Sequence, residues 1–166
     1  MQLIFKQAEL SALETGLSFL KDAAALLQKK GVNQWTMWLN PSQEQISWIK
    51  EGFENKEFYF VENENGQQMG MFRLSAEDTL YWGETQVKAN YIHSLTVNQE
   101  FAGHDLGKKI IAQIEQDLVN KGINLLRLDC NAANKWLCAY YEQQGFVKVG
   151  EKQMPHSLNN LFEKHL

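Results

Sequence analysis

Two glycines, Gly103 and Gly107, lie between an apolar segment and an amphipathic one. This junction is the part of the sequence best suited to bind a ligand. Tyr91–Val97 reads as a strand, and the pattern predicts a helix after the turn that holds Gly103 and Gly107. The helix carries its apolar residues on one face, namely Leu106, Ile110, Ile111, Ile114, Leu118 and Val119. Its N-terminus offers unpaired N–H groups and the positive end of a dipole, which suit a phosphate group. Taken alone, the glycines are equally compatible with a tight turn that caps an ordinary helix.

A second strand and helix follow in the same order. Leu125–Asp129 is a short apolar strand, and a turn over 131–133 leads to a helix that begins near Asn134. This helix carries Trp136, Leu137, Tyr140 and Tyr141. It is predicted to stop at Gly145, which suits a left-handed C-terminal cap, and Phe146–Val149 reads as the next strand.

At these residues the chain resembles the GNAT family of N-acetyltransferases. The resemblance is close over Tyr91–Gly150 and only topological over the first ninety residues. Its more specific motif is Tyr141, three residues and then Gly145-Phe146, with an asparagine seven positions before the tyrosine. The family's phosphate turn reads Gln or Arg, two residues, Gly, one residue, then Gly or Ala. Those three positions hold Ala102, Asp105 and Gly107, so only the last fits.

The departure at Asp105 has a physical consequence. A carboxylate about 4 Å from a pyrophosphate would cost roughly 4 kcal/mol at an effective dielectric constant of about 20. We therefore expect Asp105 to point outward, which a turn that binds phosphate through backbone N–H groups allows. Aspartate also tolerates left-handed backbone, and Lys108 and Lys109 offset its charge.

The resemblance implies one acetyltransferase-like domain over residues 1–166. Its fold class is α/β, with a mixed, mostly antiparallel sheet of six or seven strands and helices on both faces. The strands Tyr91–Val97 and Leu125–Asp129 are expected to splay apart around the pantetheine arm of acetyl-CoA. The implied cofactor contacts are Leu95, Thr96, Val97, Ala102, Gly103, His104, Asp105, Leu106, Gly107, Lys108, Asn134 and Tyr141.

The resemblance also implies the chemistry: an amine attacks the thioester directly, with no covalent enzyme intermediate and no metal. Tyr141 is our candidate general acid, because a residue seven positions after Asn134 lies on nearly the same helix face. His93 is our candidate base, on the strand where family members often place a glutamate. Free histidine titrates near about 6.5, which suits proton transfer at neutral pH. A packed aromatic and a structural histidine are the competing interpretations.

Three tryptophans are candidates for contact with the acceptor. Trp35 and Trp38 lie in the segment that family members use to shape the acceptor pocket, and Trp82 lies in the connection before the central strand. Core packing or a surface cover explains each of them at least as well.

Composition excludes several classes of protein. The chain has 166 residues, 44% hydrophobic and 22% charged, with a net charge of −4, as in a soluble domain with one core. No basic run suits nucleic acid, and no apolar run approaches the length of a membrane span. We expect a cytoplasmic protein, and the oligomeric state stays open, a homodimer being possible. Cys130 and Cys138 suit two buried free thiols better than a disulfide or a metal site.

The N-terminal half is organised but offers little chemistry. Its elements are a first strand over 3–6, a helix from Leu10 to Gly31 with a capping box at Ser11 and Glu14, a second helix after Ser42, and a hairpin around 63–66.

We expect an acyl-CoA-dependent N-acetyltransferase that acts on a small-molecule or peptide amine. The alternatives are a degenerate GNAT-fold protein that binds CoA as a sensor or interaction module, and a plain α/β ligand-binding domain.

Overall fold

The computed structural model of the protein describes residues 2–166, which form seven strands and five α-helices. The strands are β1 (Ile4–Gln7), β2 (Phe58–Glu62), β3 (Gln68–Ser75), β4 (Asn90–Val97), β5 (Leu125–Asn131), β6 (Val147–Met154) and β7 (Ser157–His165). The helices are α1 (Leu13–Lys29), α2 (Gln43–Glu54), α3 (Thr79–Trp82), α4 (Leu106–Asn120) and α5 (Lys135–Gln143).

The strands form a mixed sheet in the order β1-β2-β3-β4-β5-β7-β6. Strands β4 and β5 pair in parallel, while β1 with β2, β2 with β3, β5 with β7, and β6 with β7 pair antiparallel. The predicted fold class, a mostly antiparallel sheet of six or seven strands with helices, is therefore confirmed. A parallel pair requires a long crossover, and α4 lies in the connection between β4 and β5.

The chain divides into two compact units. The first comprises the residues up to Leu74 together with Ser94–Ile110, and the second comprises Ser75–His93 with Ile111–Leu166. The single domain expected over residues 1–166 stays a prediction.

The first unit has an aromatic and aliphatic core. The buried cluster contains Ala8, Leu20, Ala24, Trp38, Ile49, Phe53, Phe58, Phe60 and Met71. The rings of Phe53 and Phe58 stack with centroids 4.6 Å apart. Full burial of such a side chain contributes about 1.5–3 kcal/mol, so this cluster holds α1 and α2 against β2 and β3.

Two predictions about the start of α1 were wrong. The capping box predicted at Ser11 and Glu14 is absent: α1 begins after Ala12 with no side-chain cap, because a 3₁₀ turn over Leu10–Ala12 precedes it. Leu10 is consequently 42% exposed rather than part of the apolar face. The capping box instead lies on α2, where Ser42 and Gln45 exchange hydrogen bonds.

Helix α4 buries most of its predicted apolar face. Leu106, Ile110, Ile111, Ile114 and Leu118 are each at most 2% exposed. Val119 is 43% exposed, so its placement on that face was wrong. It follows Leu118 by about 100° around the helix, which turns it toward solvent in the last turn.

We predict that Gly70 is required for close approach of two backbones in the first unit. A Cβ there would lie 2.5 Å from the carbonyl oxygen of Thr96, which cannot rotate away. Gly70→Ala should lower the free energy of unfolding by about 1–3 kcal/mol, measured by urea denaturation. The control is Gly150→Ala, whose Cβ would lie 3.7 Å from a Leu161 methyl group. Equal stability of the two variants would contradict the close approach of Gly70 to the Thr96 carbonyl oxygen.

Candidate active site

The parallel register of β4 and β5 brings a histidine and an aspartate together. Ile92 lies opposite Leu128, so the next residue on each strand is His93 and Asp129 respectively. His93 Nδ1 lies 3.8 Å from Asp129 Oδ1. The residue after His93, Ser94, has φ 54°, a left-handed conformation that interrupts regular extended backbone inside β4. His93 is therefore the last residue before an irregularity in its strand.

A second carboxylate approaches the other ring nitrogen of His93. Asp78 caps the short helix α3, where its Oδ1 accepts a hydrogen bond from the Tyr81 amide at 3.1 Å. Its Oδ2 lies 3.1 Å from His93 Nε2. The side chains are largely withdrawn from water, with 11% of His93, 4% of Asp78 and 9% of Asp129 exposed. The imidazole is thus bracketed by two carboxylates.

Asp129 is held in place from the far side by β7. Its Oδ2 accepts a hydrogen bond from Asn159 Nδ2 at 2.7 Å, and Asn159 Oδ1 accepts one from Ser157 Oγ at 2.7 Å. Asn159 lies on β7 directly opposite Asn131 in the antiparallel ladder. This chain leaves Asp129 Oδ1 as the atom that faces His93.

Burial and negative charge dominate the electrostatics here. Burial raises the pKa of Asp129 above its ordinary value of 3.8, and His93 and Asn159 oppose that effect only in part. Burial also raises the pKa of the Tyr81 phenol to about 12, with Asp129 and Asp78 adding to the rise. Tyr81 therefore stays neutral beside the two carboxylates, and the cluster favours a positive charge.

The same three side chains form a set of possible metal ligands. One ligand atom each from Asp78, His93 and Asp129 lies within 4.8 Å of the other two. Two carboxylates and an imidazole are a donor set that divalent ions accept. The expectation that the protein needs no metal stays a prediction.

The carbonyl of the motif tyrosine, Tyr141, takes part in the C-terminal cap of α5. The amide of Phe146 donates to the carbonyl of Tyr141, that of Gly145 donates to Glu142, and Gly145 has φ 89°. These bonds form the glycine-containing C-terminal cap that the sequence predicted. A hydrophobic contact accompanies the cap. The rings of Tyr141 and Phe146 meet edge to face with centroids 5.8 Å apart. The spacing of the motif thus has a structural reason independent of chemistry.

The Tyr141 hydroxyl is set in a buried, weakly polar environment. Burial raises the pKa of Tyr141, and Cys130, Tyr140, Asp129 and Cys138 raise it further. A phenol of this kind stays protonated and donates a hydrogen bond, and it gives up its proton less readily than a free one. Tyr141 as general acid stays a prediction, with hydrogen-bond donation its more favourable form.

The two cysteines are free and buried, as predicted. Their sulfur atoms lie 3.5 Å apart. Burial, followed by the hydrogen bond with Cys138, raises the pKa of the Cys130 thiol. A thiol that resists ionisation is a poor nucleophile, so packing accounts for this pair.

Asn134 has a structural role at the start of α5. It is the N-cap residue, and its Oδ1 accepts a hydrogen bond from the Leu137 amide at 3.0 Å. The helix therefore begins where the sequence predicted. A cofactor contact through Asn134 stays a prediction, and its amide oxygen is already engaged in the cap.

The predicted phosphate turn lies in the first unit and has an unusual backbone. Gly103, His104 and Asp105 have φ 88°, 53° and 57°, three left-handed residues in succession. All three are exposed, as are Ala102 and Lys108, while Leu106 is buried and Gly107 is half-buried. The Asp105 carbonyl accepts the Lys109 amide at 3.0 Å, which starts the helical pattern.

Three residues expected along the pantetheine, Leu95, Thr96 and Val97, lie earlier in the same unit and differ in burial. Leu95 and Val97 are half-buried, and Thr96 is buried with no hydrogen-bond partner for its Oγ1 among residues 2–166.

The tryptophans are explained largely by packing. Trp38 belongs to the buried core of the first unit, and Trp35 packs against it. In the second unit Trp82 meets the Tyr91 ring at 5.9 Å and lies under the Arg127 guanidinium at 4.5 Å. Acceptor contact by Trp35, Trp38 and Trp82 stays a prediction, and for Trp38 its burial argues against it.

Sequence reasoning missed the residues that surround His93. Asp129 was assigned only as the end of a strand, and Asn159 lies on β7, which was not predicted as a strand. The signal for Asp129 was present, because carboxyl ends of neighbouring parallel strands share one edge of a sheet. No local signal pointed to Asn159, whose partner is 30 residues away.

Comparison with known proteins identifies the family. A profile of the acetyltransferase (GNAT) family matches residues 23–146. The uncharacterized N-acetyltransferase YesJ of Bacillus subtilis (strain 168) is 27% identical over 156 residues, 92% of this chain and 83% of that protein. A GNAT-family acetyltransferase from Listeria monocytogenes 4b F2365 superposes with a TM-score of 0.80 at 25% identity, over 99% of this chain and 95% of that one. An aminoglycoside acetyltransferase in complex with coenzyme A gives a TM-score of 0.71 at 17% identity, again over 99% and 95%.

The chain belongs to the acetyltransferase (GNAT) family, which confirms the resemblance. The protein is an N-acetyltransferase, so the non-catalytic alternative is not favoured. Within residues 2–166 no helix combines the length and apolar character needed to cross a membrane.

We predict that the Asp129 carboxylate lowers stability as the pH rises. Its raised pKa means that the folded state holds the proton more tightly than the unfolded state. The cost is absent below the ordinary value of 3.8, grows as the pH rises from there, and is complete above the folded pKa. Asp129→Asn keeps an oxygen for Asn159 and should unfold at higher urea than the parent at about pH 8, and this difference should disappear as the pH falls to 3.8. Asp22→Asn, an exposed site on α1, controls for net charge. If the difference in urea midpoint between Asp129→Asn and the parent did not depend on pH, the raised pKa of Asp129 would be contradicted.

Proposed function

We propose that the protein transfers an acetyl group from acetyl-CoA to a primary amine by direct attack. The observation that carries the proposal is His93, an imidazole held between two buried carboxylates on the central strand of a GNAT acetyltransferase. An amine arrives at neutral pH as an ammonium ion, because a lysine-like amine titrates near about 10.4. Removal of one proton is therefore required before attack.

The residues for acetyl-CoA are consistent with this proposal. The turn over 102–108 presents exposed left-handed backbone at a helix N-terminus, the kind of surface that receives phosphate through N–H groups. Asp105 is exposed there, and Lys108 and Lys109 add positive charge. Leu95 and Val97 supply backbone groups for the pantetheine. The turn fits a pyrophosphate despite its departures from the family pattern.

His93 serves as the general base. Asp129 faces Nδ1 and stabilises a protonated ring, so Nε2 is the nitrogen that accepts the proton from the ammonium. The freed lone pair attacks the thioester carbonyl. A base placed in this way contributes about 10²–10⁴-fold to the rate.

Tyr141 assists the departure of the thiol. The carbon–sulfur bond breaks and the sulfur leaves as a thiolate, which then takes up the second proton that the nitrogen loses as the amide forms. A thiol titrates near about 8.5 and a phenol near about 10, so full transfer from tyrosine is uphill even before burial. Burial raises the pKa of Tyr141, so a hydrogen bond to the developing thiolate is the favoured form of assistance.

The acceptor is a small-molecule or peptide amine. The aminoglycoside acetyltransferase among the fold neighbours acts on an amine-bearing compound, as its name says. At 17% identity that likeness supports the fold alone, so the acceptor is to be identified by experiment.

The direct test combines binding and turnover. Acetyl-CoA at about 100 times its dissociation constant should stabilise the protein by about 2.7 kcal/mol, measured as a thermal shift. A panel of primary amines is then screened for release of free thiol. We expect release that depends on both acetyl-CoA and one class of amine. A protein that neither binds acetyl-CoA nor releases thiol with any amine would contradict the proposal.

We predict that Tyr141→Phe separates chemistry from packing. The ring and its contact with Phe146 are kept, and only the hydroxyl is lost. The kcat should fall by about 10²-fold with CoA affinity nearly unchanged. Tyr140→Phe on the same helix is the matched control and should keep kcat near that of the parent. Full turnover by Tyr141→Phe, when chemistry limits the rate, would remove the acid role.

A further inference from the structure

Asp78 has a feature that its structural role leaves unexplained. Its Oδ1 accepts the Tyr81 amide at 3.1 Å and so completes the cap of α3. Its Oδ2 is buried and accepts no hydrogen bond within residues 2–166. The side chain as a whole is only 4% exposed. A buried carboxylate oxygen without a donor is costly, and native proteins retain such atoms mainly at functional sites.

A ring nitrogen of His93 lies beside this oxygen. His93 Nε2 lies 3.1 Å from Asp78 Oδ2, a contact that is an ion pair only when the ring is protonated. When the ring is neutral and Nε2 carries a lone pair, two acceptors face each other across this distance. A bound ligand with several N–H groups would supply the donor that Asp78 Oδ2 lacks within residues 2–166.

The charges around the pair determine the chemistry of that donor. Two carboxylates, those of Asp78 and Asp129, lie beside His93, and the centroid of the neutral Tyr81 ring lies 6.1 Å from that of His93. A cation is therefore favoured over a neutral donor. An ammonium group supplies both the charge and several N–H bonds.

We infer that Asp78 is the specificity residue for the acceptor, binding its ammonium group through Oδ2 beside His93 Nε2. The inference rests on the proposed function and names its substrate class: amines that arrive charged. One N–H of the ammonium donates to Asp78, and another N–H bond breaks as its proton passes to His93 Nε2. The electron pair stays on nitrogen and attacks the thioester. Asp129 is a positioning residue that holds the ring through Nδ1.

The test compares a charged acceptor with an uncharged one. The probes are an aliphatic primary amine, which is an ammonium ion at about pH 8, and an aromatic amine, which is neutral at that pH. Asp78→Asn keeps an oxygen for the α3 cap and removes the charge. Glu77→Gln, an exposed carboxylate one residue away, is the matched control.

We expect Asp78→Asn to raise KM for the aliphatic amine by about tenfold or more, the usual effect of losing a hydrogen bond to a charged group. KM for the aromatic amine should change by less than about threefold, and Glu77→Gln should leave both near the parent values. If Asp78→Asn kept the parent KM for both amines, or raised KM equally for both, this inference would be overturned while the proposed function stands. A parent that binds acetyl-CoA yet acetylates neither amine would overturn both.

A metal ion is the competing occupant, since the three side chains can ligate one. Every assay is therefore repeated in EDTA. Activity unchanged by chelation supports the ammonium. Activity lost in EDTA and restored by Zn²⁺ or Mn²⁺ would overturn the inference.

Discussion

The candidate site depends on one electrostatic constraint: two carboxylates are held mostly out of water on either side of a single imidazole. Asp78 and Asp129 lie 3.1 and 3.8 Å from the two nitrogens of His93. Buried like charges repel, and the raised pKa of Asp129 reflects burial with Asp78 adding to it. Positive charge between the carboxylates, on the ring or on a ligand, relieves this repulsion. Holding two carboxylates close together lowers the stability of the fold and gives the site a preference for cations. Functional sites commonly lower stability in this way.

Four separate elements hold this arrangement. The parallel register of β4 and β5 sets His93 beside Asp129, the cap of α3 fixes Asp78, and β7 contributes Asn159 to hold the far side of Asp129. The motif around Tyr141 has a different origin. Its spacing matches a glycine cap in which Gly145 takes left-handed backbone and a ring contact covers the helix end. A motif that identifies a family can therefore be structural in the first place.

The sequence was sufficient where one local pattern determined the outcome. The apolar face of α4 as far as Leu118, the second helix after Ser42 and the helix end at Gly145 follow from periodicity and glycine, and the structure has all three. It was misleading where two local signals competed, as at Ser11, where a 3₁₀ turn replaces the expected cap. The surroundings of His93 were not predictable in the same way. Strand register brings Asp129 to His93 and Asn159 to Asp129, and register is a property of chain segments far apart in sequence.

We propose that His93 removes a proton from the acceptor amine, and one comparison of variants tests this role. The value of kcat/KM for a charged primary amine is measured in the parent, in His93→Ala and in the exposed control His156→Ala, all at saturating acetyl-CoA. We expect a fall of about tenfold or more for His93→Ala, with the fold retained and His156→Ala near the parent. A His93→Ala enzyme within about twofold of the parent would contradict it, since a general base contributes far more than that.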